Sequence, residues 1–193
     1  SKISAVQLDQ ISPAWLDKCR HWKEIFRYRS EWDDPEHLVD AKVFMERLSL
    51  RMPENSVLIS DAGMTGVIVP AASRTKPSDR VIASFVQGEM GYSLPGACGI
   101  SVLAKGPVIS YTGDGSFMLN LQELQTVARN QFNIKIVIIN NNGYSGVRYG
   151  QKGHLRGKTI GTDPSNGLDL PDYEKIAAAF GLPYCKAENT GRI

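Results

Sequence analysis

Residues 111–148, YTGDGSFMLNLQELQTVARNQFNIKIVIINNNGYSGVR, carry a polar turn at each end and apolar residues between. The turn Gly113-Asp114-Gly115-Ser116 follows a mostly apolar run at 108–111, and Asn140-Asn141-Asn142-Gly143 follows a second one at 134–139. Between them, Leu121, Leu124, Val127 and Ala128 recur at helical spacing, which predicts a helix over 119–130. In a parallel sheet a right-handed strand–helix–strand unit brings both strand ends to one edge. An acidic turn and an amide-rich turn then lie side by side where ligands of open α/β sheets bind. That pairing points to a divalent metal and a phosphate-bearing cofactor.

Outward from this stretch, strand and helix alternate. Residues 56–60 and 80–85 are short apolar strands, the first closed by Asp61-Ala62-Gly63. Residues 65–73 are partly helical, with Pro70 weakening the pattern. Gln87-Gly88-Glu89-Met90-Gly91-Tyr92 is a glycine-rich turn opening a small-residue helix through Ala104, suited to close packing on a sheet. Upstream, Ser12-Pro13 starts a helix whose Trp15, Cys19, Trp22 and Phe26 form one stripe, expected to pack as an outer helix on its own domain. Pro35 punctuates, and Ala41, Phe44, Met45 and Leu48 mark a second amphipathic helix. Downstream, a helical turn begins near Tyr144, residues 151–169 read as a polar loop, 170–180 as a helix, and 184–187 as one more strand. The pattern predicts an α/β domain with a mainly parallel sheet and helices on both faces.

The 193 residues, 42% of them apolar, suffice for one sizeable core. A net charge of +2 gives no bulk electrostatic reason to expect nucleic acid or a membrane as partner. No window approaches the roughly 18 consecutive apolar residues of a spanning helix. The opening SKISAVQLDQISP has no secretory-signal plan and no initiator methionine, so the chain is expected to be a piece of a larger protein. Cys19, Cys98 and Cys185 are too far apart for a zinc site, and buried thiols in a reducing cytoplasm are expected.

Several phosphate motifs fail at Asp114. Counting from Gly113, the sixth place of a dinucleotide fingerprint is Met118, and no Gly-Lys-Ser/Thr follows. Ser116 and Met118 also break the calcium-loop pattern. The turn still suits an anion, with backbone N–H groups of Gly115 and Ser116 directed at a diphosphate. No Lys or Arg lies beside it, so magnesium would offset the charge, taking few ligands from protein.

GDG and NN, separated by the 24 residues of 116–139 and each following an apolar strand, resemble the diphosphate and metal motif of thiamine-diphosphate-dependent enzymes. QGEMGYSLPGACG (87–99) and DYEKIAAAFGLPY (172–184) resemble segments of the acetolactate synthase and pyruvate decarboxylase group. The resemblance implies a thiamine-diphosphate-binding fold at 36–193, preceded by a linker and outer helix at 1–35. It implies magnesium held by the side chains of Asp114 and Asn141 and the carbonyl of Gly143, with Asn142 the alternative to Asn141. Gly113, Gly115, Ser116 and Tyr144 would line the diphosphate, with Gly63 and Met64 nearby. Met90 would support the bent cofactor, and the Gly88 carbonyl would accept from its 4′-amino group.

The implied reaction is decarboxylation of a 2-oxoacid, followed by protonation or by ligation to a second carbonyl. The family's activating glutamate sits in a separate pyrimidine-binding domain, often of another subunit, and nothing here resembles it. No catalytic residue is therefore assigned to this chain. Alone it is expected to be inactive, and with its partner domain to form a homo-oligomer. A non-catalytic or split-subunit module that keeps the motif is the alternative. Ser145 to Tyr149 depart from both subfamilies: no Trp follows, Val147 stands where decarboxylases carry Glu, and Arg148 is a candidate for a substrate carboxylate or phosphate.

Overall fold

The computed structural model describes residues 12–26 and 38–192. The proposed linker at 1–11, Pro35 and the boundary between 35 and 36 lie outside them. Four strands form one all-parallel sheet: β1 (Val57–Ser60), β2 (Arg80–Ala83), β3 (Val108–Gly113) and β4 (Ile134–Ile139). Their order is β2-β1-β3-β4. Register pairs Ser60 with both Ala83 and Tyr111, and Gly113 with Ile139, so all four carboxyl ends lie on one edge.

Strand residues alternate between two cores, as period-2 side chains must. Val57, Ile59, Val108 and Ile134 face one layer, made by α4 (Ser93–Ser101), α6 (Leu124–Asn130) and α8 (Tyr173–Ala179). Leu58, Ile109 and Tyr111 face the other, made by α2 (Ala41–Arg51) and α3 (Met64–Ala72). The predicted parallel sheet with helices on both faces is therefore present. Small residues let α4 sit close: a Cβ on Gly96 would lie 2.5 Å from Ile59 Cδ1. α2 is fixed at its start by Asp40, whose carboxylate accepts from the N–H groups of Lys42 and Val43.

Local boundaries differ from the pattern in instructive places. The helix expected over 119–130 is broken: Asn120 leaves helical geometry (φ −138°), a 3-10 turn covers Leu121–Glu123, and α6 begins only at Leu124. The side chain of Asn120 is engaged elsewhere, as described below. Residues 151–169 are not all loop. The helical turn near Tyr144 grows into α7 (Ser145–His154), and Pro164–Asn166 form a 3-10 turn with an Asp163/Asn166 capping box. Residues 184–187 form no strand: Tyr184, Cys185 and Lys186 are all exposed, so the segment has no apolar face to lay on the sheet.

α1 (Pro13–Ile25) starts where Ser12-Pro13 predicts, but it buries no residue among those described. Its stripe is exposed, with Trp15 at 52% and Phe26 at 79%, and Trp15 stacks edge-on with Trp22. Among the described residues the expected packing on its own domain is not present. Of the cysteines only Cys98 is buried; Cys19 is half-buried and Cys185 exposed. No helix among the described residues is long and apolar enough to cross a membrane.

Candidate functional site at the carboxyl edge

From β1 the chain runs outward to β2, then returns past β1 to β3 and continues away to β4. The connections leaving β1 and β3 therefore diverge, and the crevice between their carboxyl ends is the position where such sheets take ligands. Two buried carboxylates stand there: Asp61 just beyond β1 and Asp114 just beyond β3, 2% and 1% exposed.

Asp114 joins the two turns of the opening stretch. Its Oδ1 accepts from the Gly115 N–H (2.7 Å), and its Oδ2 accepts from the N–H groups of Asn141 (3.0 Å) and Gly143 (2.9 Å). A charged acceptor shared by three backbone donors holds the β4 turn onto the β3 turn. Behind it, the Tyr173 hydroxyl donates to the Asp114 carbonyl (3.2 Å). Burial, then the charges of Asp114 and Tyr144, raise the Tyr173 pKa and keep that hydroxyl protonated.

Glycine is required twice. A Cβ on Gly115 would lie 2.1 Å from Tyr144 Cε1, because the tyrosine ring packs against that backbone. Gly143 has φ +137°, and a Cβ there would lie 2.0 Å from the Thr162 carbonyl oxygen. Thr162 accepts from the Tyr144 N–H (2.9 Å), so residues 159–168 brace the turn from outside.

Asp61 serves the other side of the crevice. Its Oδ1 accepts from the N–H groups of Ala62 (3.0 Å) and Tyr92 (3.2 Å); its Oδ2 accepts from the hydroxyls of Ser93 (3.1 Å) and Thr112 (2.8 Å). It thereby ties together the ends of β1 and β3 and the start of α4. The glycine-rich turn 88–91 is thus brought to the same edge, with Gly88 and Gly91 both at positive φ and Met90 40% exposed. That exposure excludes a core-filling role for Met90.

The structure brings Gly113, Asp114, Gly115, Ser116, Asn141, Gly143 and Tyr144 together around one carboxylate. Gly63 (φ +75°) and Met64 begin α3 at the end of β1, both exposed at the same edge. Asn141 and Asn142 are both exposed; Asn141 Nδ2 donates to Ser145 Oγ (3.3 Å), while Asn142 takes a left-handed φ of 57° and donates its N–H to Asn140 Oδ1. Arg148 is paired with Asp163 (3.4 Å) on the bracing loop.

The sequence reading assigned nothing to Asp61, Asn120, Thr112 or Tyr173. A polar residue closing an apolar strand was the available signal for Asp61, but three of its four partners are 31 to 51 residues away.

This edge can be set against known proteins. Residues 61–193 match the family model described as thiamine pyrophosphate enzyme, C-terminal TPP binding domain. The chain belongs to this family. Among its relatives, the acetolactate synthase isozyme 2 large subunit of Escherichia coli (strain K12) is 32% identical over 170 residues, covering 87% of this chain and 30% of that protein. The acetolactate synthase large subunit of Pyropia yezoensis is 33% identical, covering 68% of the chain and 22% of its own length. That of Porphyra purpurea is 40% identical over 102 residues, covering 52% and 17%. The chain thus spans less than a third of each of these relatives. The matched region begins at Asp61 and takes in every residue of the edge described above.

Proposed function

We propose that the chain is the cofactor-holding part of a thiamine-diphosphate- and magnesium-dependent 2-oxoacid decarboxylase or carboligase resembling acetolactate synthase. The observation that carries this reading is the buried Asp114 carboxylate at the β1/β3 crevice, with the backbone of Asn141 and Gly143 drawn onto it. The donor chemistry fits the ion. A carboxylate, an amide oxygen and a peptide carbonyl are hard oxygen ligands, and Mg²⁺ takes few of these from protein, leaving the rest to phosphate and water. Among the described residues no cluster of three His, Cys, Asp or Glu offers an alternative metal site.

In this reading Asp114 and Asn141 hold the ion by side chains and Gly143 by its carbonyl. Asn141 is favoured over Asn142 because Asn141 is the residue hydrogen-bonded to Asp114. Gly113, Gly115 and Ser116 line the diphosphate, the Gly115 N–H being already given to Asp114 Oδ1; Tyr144 packs beside them, and Gly63 and Met64 close the far side. Met90, held at the edge rather than in the core, supports the cofactor's bend, and the Gly88 carbonyl accepts from its 4′-amino group. When bound, thiamine diphosphate supplies the carbon nucleophile and the electron sink for the 2-oxoacid chemistry. The chain's own residues bind and orient; the activating glutamate comes from a pyrimidine-binding domain of the same or a partner subunit. The chain alone is then inactive, the working protein is a homo-oligomer in the cytoplasm, and 36–193 form the binding domain behind a 1–35 linker and helix.

The test is thermal unfolding with magnesium and thiamine diphosphate. Ligand at 100 times its dissociation constant should stabilise the protein by about 2.7 kcal/mol. Asp114→Ala should abolish that shift. An undiminished shift in the variant would overturn the metal assignment, and no shift in the wild-type full-length protein would overturn the cofactor.

A further inference from the structure

The peptide bond between Gly91 and Tyr92 is gripped at both ends by side chains. Its carbonyl accepts from Asn120 Nδ2 (2.8 Å), and its N–H donates to Asp61 Oδ1 (3.2 Å). The two side chains come from the other two turns of the edge: Asp61 follows β1, and Asn120 lies six residues beyond Asp114. Asn120 is itself fixed. Its N–H donates to the Phe117 carbonyl, its own carbonyl accepts from Glu123, and its Oδ1 accepts from Gln122 Nε2.

Contact is also close. Gly91 is buried at φ +82°, and a Cβ there would lie 2.8 Å from Asn120 Nδ2 and 2.9 Å from Leu119 Cβ. The break in the predicted 119–130 helix falls at the residue that makes this bond. Residues 85–90, by contrast, are exposed throughout. The Gly91–Tyr92 peptide is therefore the point at which an exposed turn is keyed to the buried Asp114 region.

We propose that Asn120 is a positioning residue that acts through the Gly91–Tyr92 peptide to set Met90 relative to the Asp114 turn. This rests on the reading that Met90 supports thiamine diphosphate. Asn120 touches neither end of the cofactor in that reading; it fixes the spacing between the turn that holds the diphosphate and the turn that holds the rest. Asp61 shares the grip, but it also joins β1, β3 and α4, so its removal tests the fold rather than the spacing.

The experiment uses the full-length enzyme with magnesium and two probes, thiamine diphosphate and inorganic diphosphate, measured by calorimetric titration. Inorganic diphosphate reports the Asp114 end alone; thiamine diphosphate reports both ends. Loss of one neutral hydrogen bond predicts that Asn120→Ala weakens thiamine diphosphate by about tenfold and leaves inorganic diphosphate unchanged. Asn120→Asp keeps the side-chain size but offers no donor to the Gly91 carbonyl, and should do the same. In a Met90→Ala background, Asn120→Ala should have no further effect, because residues acting as one unit are not additive.

Equal weakening of both probes, no weakening of either, or additivity with Met90→Ala would each overturn the proposal. Failure of the wild-type enzyme to bind thiamine diphosphate would instead overturn the cofactor reading beneath it. A variant that melts well below wild type without ligand marks Asn120 as a fold residue and also counts against the proposal.

Discussion

Replacing Asp114 by asparagine changes one atom's chemistry at the centre of the edge. In the wild type, three backbone N–H groups, those of Gly115 and Gly143 in buried hydrogen bonds and that of Asn141 in a part-buried one, converge on its two oxygens, at 2.7, 2.9 and 3.0 Å. Asparagine keeps one oxygen. Placed toward Asn141 and Gly143, that oxygen holds two donors, but as neutral bonds of about half the charge-assisted strength. The amide NH₂ then faces the Gly115 N–H, donor against donor. An unsatisfied buried group costs about 1–3 kcal/mol, and each weakened bond about 0.5–1.5 kcal/mol more. The sum is about 2–6 kcal/mol against the closed arrangement of the two turns, before any metal or cofactor is added.

Amide hydrogen exchange without ligand reads this directly, since local opening need not involve the rest of the protein. At 1.4 kcal/mol per factor of ten, the amides of Gly115, Asn141 and Gly143 should exchange at least about 30-fold faster in Asp114→Asn. The central strand amides of β3 should be little changed. Exchange at wild-type rates would show that the carboxylate does not hold these turns together. The same variant separates structural from ligand roles: a loss seen only on adding magnesium would leave the hydrogen-bonding argument refuted and the metal assignment intact.

Two further outcomes follow from the bracing loop. Gly143→Ala meets a backbone carbonyl at 2.0 Å in a left-handed conformation, neither of which a rotamer change relieves, so it should destabilise by about 3 kcal/mol or more; a melting shift of less than 2 °C would refute that. Asp163 has its pKa lowered, first by its hydrogen bond from the Ser165 hydroxyl and then, against the effect of burial, by the Ser165 N–H, Arg148 on α7 and Asn166. Its contribution is therefore fully present above the ordinary aspartate range and lost as the pH falls through the lower folded value. The stability difference between wild type and Asp163→Asn should be constant above about pH 5 and shrink below about pH 4, and a pH-independent difference would refute the assignment.

The fold was legible because its signals are local and repeated. Val57 to Ser60 and Ile134 to Ile139 are short apolar runs joined through helical periods, and such runs in a chain of this length leave a parallel sheet as the economical arrangement. Asp114 and Gly143 were legible for a related reason: Asp114 follows β3 directly and Gly143 closes the four-residue turn after β4, so strand direction alone puts both turns at one edge. Asn120 was misread because helix propensity and periodicity at 121, 124 and 127 ran past it, and only a partner 29 residues away accounts for the break. Asp61 was passed over because a lone aspartate after a strand is ordinary turn chemistry until Tyr92, Ser93 and Thr112 are seen around it. The exposed stripe of α1 was misjudged for want of a partner: amphipathicity states that a face can be buried, and says nothing of what buries it.

The electrostatics of the edge bear on why the proposed ion would be needed. Asp61 and Asp114 are both buried, and every hydrogen bond described for either comes from a backbone N–H or a hydroxyl, never from Lys or Arg. Donors of this kind stabilise a carboxylate without cancelling its charge. A diphosphate brought to Asp114 would therefore add negative charge to a site that already carries it, and at about 4 Å and an effective dielectric of about 20 each such pairing opposes binding by about 4 kcal/mol. Three backbone amides at a turn do not offset that. A divalent cation between the two would reverse the sign of the interaction on both sides at once, and would make a carboxylate, rather than the lysine of nucleotide phosphate loops, a workable residue at this position. On the proposed reading the chain places its acid where the phosphate would come, and that choice makes sense only if the metal arrives with it.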